Sequence, residues 1–153
     1  MYLWLKLLHV ASVIAFLGNI TTGLFWHSHA ARTRDARLIA HAMDGIIRSD
    51  RIFTIPGVVL IIATGVATAM VGGYPILKTQ WILWSLVLFA ISGVVFMARV
   101  APLQRQLLAL AKDAAAFDLQ RYAALARRWE MWGALALVTP IAALVLMILK
   151  PVF

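Results

Sequence analysis

The chain contains no cysteine, which excludes disulfides, thiolate metal sites, iron–sulfur clusters and cysteine nucleophiles. It is also poor in charge. Of its 153 residues only 13% are Asp, Glu, Lys or Arg, and six are acidic. A soluble domain carries about 25% charged and roughly 45–50% apolar residues. With 63% hydrophobic residues and a mean hydropathy of +0.91, this chain has more apolar surface than a fold of its size can bury. Low charge and high hydropathy also exclude a disordered chain. An integral membrane protein remains, and 153 residues allow about four spans of roughly 20 residues.

Four apolar stretches meet that length, at about 2–26, 52–72, 81–101 and 131–149. The first lacks a basic leader and a clear small-residue cleavage site, so it is read as a retained span. Ten of the fourteen basic residues fall in the segments 27–51 and 102–130, and Arg99 sits at the adjoining end of span three; only Lys6, Lys78 and Lys150 fall on the other side. By the positive-inside rule those two segments are cytoplasmic and both termini external. Orientation thus accounts for the net charge of +8, and nucleic acid is dropped as a partner. Trp4, Trp26, Trp81, Trp84, Trp129 and Trp132 all lie near span ends and read as interfacial anchors.

The expected fold is all-α: one membrane domain, a four-helix up-down bundle with amphipathic cytoplasmic helical extensions. Leu38, Ile39, Ala42, Met43, Ile46 and Ile47 recur at helical spacing between polar residues. The stretch 104–128, rich in Ala, Leu, Gln and Arg without Gly or Pro, reads as helical too. Each segment either extends a span or lies on the membrane surface. Gly72-Gly73-Tyr74-Pro75 marks a tight turn, which would make spans two and three antiparallel neighbours. Pro56 fits the first turn of span two. Pro140, in mid-span, predicts a kink.

Polar residues inside spans carry the functional information, because an apolar alternative was cheaper. His9 is foremost, roughly 10 Å into span one at 1.5 Å per residue. Three readings of it are open: a hydrogen bond to a neighbouring helix, an axial haem ligand, or a proton relay. Ser12 and Phe16, further along the same helical face, would line a pocket with it. His27 and His29 have metal-like H-x-H spacing, yet on a helix they point about 200° apart, so they and His41 read as interfacial. Asn19 should face another helix, since an unpaired amide in hydrocarbon is costly. Gly18, Gly23, Gly65, Ala69 and Gly73 read as packing positions. Met70 and Met147 share His9's leaflet and are either core filler or sulfur ligands. All six acids lie in loops or at span edges, so no carboxylate pair is expected, and no phosphate loop or nucleophile–base pair is visible. Any chemistry here would come from a cofactor.

Trp4-Leu5-Lys6-Leu7-Leu8-His9 has a W-x-K-x-x-H form. It resembles the start of span one in the oxygen-independent, membrane-embedded protoporphyrinogen oxidases that contain haem b. Arg48 with Thr54-Ile55-Pro56-Gly57, Ile76-Leu77-Lys78-Thr79-Gln80-Trp81 and Lys150-Pro151 are similar to further motifs of that family and of copper-resistance protein D-like domains. The resemblance implies haem b ligated by His9. It also implies that oxidase activity is weak or absent, because Ser85 stands where a functional lysine would fall and only Glu130 survives of an N-E-x-P motif. The expected role is therefore a haem-binding redox or electron-transfer protein. The bilayer, a redox partner protein and further copies of the chain are its expected partners. The alternatives are a cofactor-free structural or accessory subunit and a copper-handling membrane protein.

Overall fold

The structure, a computed structural model, describes residues 1–151, and every regular element among them is helical. The helices are α1 (Tyr2–Thr33), α2 (Ala36–Ser49), α3 (Ile55–Val71), α4 (Gln80–Val95), α5 (Ala101–Lys112) and α6 (Leu119–Leu149). A π-helical turn, Asp50–Thr54, joins α2 to α3 without a break, and a second, Phe96–Val100, joins α4 to α5. The chain is thus four long rods: Tyr2–Thr33, Ala36–Val71, Gln80–Lys112 and Leu119–Leu149. Each is long and apolar enough to cross a membrane. At 1.5 Å per residue they reach about 45–55 Å, well beyond a hydrocarbon core of about 30 Å. The spans read from hydropathy are the apolar parts of these rods, and the amphipathic segments prolong them.

Short acidic side chains set the breaks. Asp35 caps α2 by accepting from the Arg37 amide at 2.8 Å, and Asp118 caps α6 by accepting from Gln120 and Arg121. The stretch 104–128 is consequently not one helix. It opens after Lys112, where Asp113 accepts from the Ala116 amide and competes with helical bonding.

Three prolines lie within the rods. Pro56 and Pro102 each stand at the second position after a π turn. There the five-residue bonds Ile55 N–H to Asp50 C=O and Ala101 N–H to Phe96 C=O open the backbone just ahead of the ring. Pro56 thus stands in the first turn of α3, as the sequence reading had it, while the rod runs on through the π turn before it. Pro140 leaves α6 continuous. The carbonyl it deprives of a helical partner is that of Ala136, and Ser92 Oγ of α4 donates to that oxygen at 2.6 Å.

The dense core lies at the arginine-rich end, where Ile39, Met43, Leu107, Ala111, Tyr122 and Trp129 come together from α2, α5 and α6. Trp129 is only 3% exposed, so it is a core residue and not an interfacial anchor, unlike the exposed Trp4, Trp26 and Trp84. Toward the other end the rods separate into two pairs, α1 on α3 and α4 on α6. No Cα of α3 comes within 8 Å of one in α4, although Gly72 and Gly73 make the expected turn. Spans two and three are not packed neighbours. Their connection bridges an opening instead.

Candidate functional site

Between the two pairs, toward the end carrying the N-terminus, lies a cavity of about 510 Å³. That is within the range of about 300–1,000 Å³ typical of small-molecule sites. Its walls are mainly aliphatic and aromatic, with His9, Ser85 and Met147 among the lining residues. Phe16 of α1 meets Phe89 of α4 across it, ring centroids 5.5 Å apart at 54°.

His9 is fixed by three groups of α3. Its Nδ1 lies 3.0 Å from the Ile61 carbonyl oxygen and 3.2 Å from Thr64 Oγ1. A carbonyl only accepts, so Nδ1 carries the proton, and in the neutral ring Nε2 is left with a free lone pair. The third group is Gly65. A methyl built there would sit 2.9 Å from His9 Cε1, a separation real side chains do not adopt. The ring therefore packs where only a glycine leaves room.

Two lysines, Lys6 and Lys150, line the cavity, and no acidic side chain does. The Lys150 ammonium lies 5.2 Å from the Trp81 ring centroid and 5.8 Å from that of Tyr74. A cationic, aromatic rim above apolar walls suits an amphipathic ligand with an anionic end.

Of the residues singled out from sequence, His9 and Phe16 share the cavity wall. Ser12 does not: it is buried and returns its hydroxyl to the Leu8 carbonyl of its own helix at 2.8 Å. Ser85 lines the cavity with its hydroxyl engaged by the Trp81 and Ala143 carbonyls at 2.7 and 3.1 Å. Met147 lines it as well, whereas Met70 is 70% exposed on the outer surface. Arg48 pairs with Asp44 at 2.8 Å on the surface, far along the chain from the cavity lining.

His27 overturns its interfacial reading. It is 1% exposed, its Nε2 lies 3.0 Å from Tyr122 Oη, and its ring packs on Trp129. His29 and His41 are exposed as expected. Sequence reasoning also missed Asp50, taken as a span-edge acid but buried in contact with Asn19, Thr54 and Gln104. The signal available was Thr54, one helical turn after Asp50 at the head of an apolar span. Among the described residues no three His, Asp or Glu side chains converge as a metal site.

A family model described as "Predicted integral membrane protein (DUF2269)" matches residues 3–151. The chain belongs to the DUF2269 family. Apart from Tyr2, that match covers the lining of the His9 cavity and all four rods alike. No curated protein and no solved structure matches it.

Proposed function

We propose that this integral membrane protein binds haem b in the cavity between its helix pairs, with His9 Nε2 as the axial ligand. The observation that carries the reading is the state of the imidazole. One nitrogen is tied to a backbone carbonyl on the next helix, the arrangement that orients ligand histidines. The other has no hydrogen-bond partner among the described residues, and the ring lines a cavity whose apolar walls suit a macrocycle. Lys6 and Lys150 would hold the propionates, and Phe16 with Phe89 would form an aromatic wall. When bound, haem supplies one-electron transfer to or from a redox partner. This chain's residues anchor the iron, neutralise the carboxylates and exclude water. The W-x-K-x-x-H likeness to the haem-containing protoporphyrinogen oxidases supports the same ligand. The fully engaged hydroxyl of Ser85, where those enzymes carry a lysine, argues for binding and electron transfer over oxidase chemistry.

The orientation proposed is that of a bacterial inner membrane protein with its arginine-rich end in the cytoplasm, so the haem lies in the outer leaflet. The test is an absorption spectrum of the protein purified in detergent from haem-replete cells, before and after dithionite. A reduced b-type spectrum that His9→Ala abolishes or shifts, and that His27→Ala, His29→Ala and His41→Ala leave in place, is the expected result. Protein that purifies without haem, or an unchanged His9→Ala spectrum, sinks the assignment. The second reading, a cofactor-free accessory subunit, draws on the same bond: His9 already joins α1 to α3 through Ile61.

A further inference from the structure

The arginine-rich half of the bundle holds a second, partly open hollow of about 30 Å³, with room for roughly one or two water-sized particles. It shares no lining residue with the large cavity. Asn19 of α1, Asp50 of the first π turn, Gln104 of α5 and Trp129 of α6 all contribute to its wall.

Asp50 is 7% exposed. Its Oδ1 accepts from Thr54 Oγ1 at 2.7 Å and from Asn19 Nδ2 at 3.2 Å, and its Oδ2 accepts from Gln104 Nε2 at 2.8 Å. Three donors converging on one carboxyl group favour its ionised form, while burial pushes its pKa up. Every donor is neutral. Among the described residues no Lys, Arg or His nitrogen lies within ion-pairing distance of Asp50. When ionised, Asp50 is a buried negative charge with no protein cation beside it, a state that a counter-charge in the hollow would stabilise.

The atoms around the hollow indicate what supplies that charge. A carboxylate offers about four acceptor positions, and three are in use. Asn19 and Gln104 take part in the cluster only through their amide nitrogens, so their oxygens are left for another partner. Carboxylate and amide oxygens are hard ligands. One carboxylate balances one unit of charge, which favours a monovalent over a divalent ion. The indole N–H of Trp129, a residue of the same wall, is buried without a partner. The π turn contributes by holding Asp50 beside Thr54 where the rod widens.

We infer that this hollow binds one small monovalent cation, with Asp50 as its charged ligand and the amide oxygens of Asn19 and Gln104 as neutral ones. The site is independent of haem at His9. Its test uses the purified full-length protein in detergent at fixed pH, with thermal unfolding followed in sodium chloride and in choline chloride at equal ionic strength. The expected result is a saturable rise of several degrees in the midpoint with sodium over choline. Asp50→Asn should abolish that difference and Gln104→Leu should diminish it. Equal midpoints for the wild type in the two salts would mean that water alone occupies the hollow, and overturn the site. So would an undiminished sodium response in Asp50→Asn. Should Asp50→Asn fail to fold, the wild-type comparison and the Gln104→Leu response still decide, and an unaltered response in Gln104→Leu then counts against the site.

Discussion

The imidazole of His9 rests on the backbone of Gly65, with Cε1 only 2.9 Å from where a β-carbon would stand. This fit, together with the bond from Nδ1 to Ile61, sets the ring's orientation. Gly65→Ala should push the ring off its seat, and Gly65→Val should do so more strongly. With haem bound, the Soret band should shift or weaken in that order. Gly18→Ala is the control. No atom lies within 4 Å of its would-be β-carbon, so it should leave the spectrum unchanged and stabilise by up to about 1 kcal/mol, as Gly-to-Ala changes in helices do. An unshifted band in Gly65→Val would disconnect this glycine from the site.

Ser92 and Pro140 should be energetically coupled. Ser92→Ala removes the donor to the Ala136 carbonyl and should cost about 0.5–2 kcal/mol. In a Pro140→Ala background residue 140 regains an N–H for the same carbonyl, so the cost of Ser92→Ala should fall. Equal costs in the two backgrounds, measured by unfolding in mixed micelles, would show that the serine does not serve that orphaned oxygen.

Tyr122→Phe should destabilise the arginine-rich end by about 1–3 kcal/mol, because it leaves the buried Nε2 of His27 without its partner. The haem spectrum should be untouched, since neither residue lines the large cavity. A loss of haem in Tyr122→Phe without loss of stability would refute this division between the two ends.

Reporter fusions at Gly73 and after the last residue should both read as external, and fusions near Arg37 and Arg121 as cytoplasmic. This follows from the placement of eleven of the fourteen basic residues. A cytoplasmic signal at Gly73 would invert the orientation.

The four rods were legible because hydropathy over about 20 residues integrates many weak preferences. His9 was legible because a polar residue deep in an apolar run has few cheap explanations. Other features depend on where a rod extends past the bilayer, which composition does not report. Trp129 and His27 stand near span ends and therefore looked interfacial, but their rods continue into a packed region that buries both. Asp50 looked like a loop residue for the same reason. Helical phase gave Ser12 the same face as His9 and Phe16, yet its hydroxyl is short enough to bond back to Leu8 and it packs away from the cavity. The α3–α4 turn was readable locally, whereas the lack of packing beyond it is a tertiary fact.

The separation of α3 from α4 also bears on how the protein is made. Each helical hairpin, α1 with α3 and α4 with α6, is an antiparallel pair packed on its own partner, so each is a natural unit of insertion. The segment 72–79 joins two already paired units, and to their interior it contributes only Tyr74 and Ile76 at the cavity. Lengthening it with Gly-Ser residues should be tolerated, since closing a longer loop adds only about 0.6 kcal/mol per doubling. Cutting it should leave two coexpressed fragments that reunite through the Met43, Leu107 and Trp129 core. Seen as an assembly process, the molecule is a covalent dimer of hairpins clasped at one end, and its large cavity is the space the clasp leaves between them.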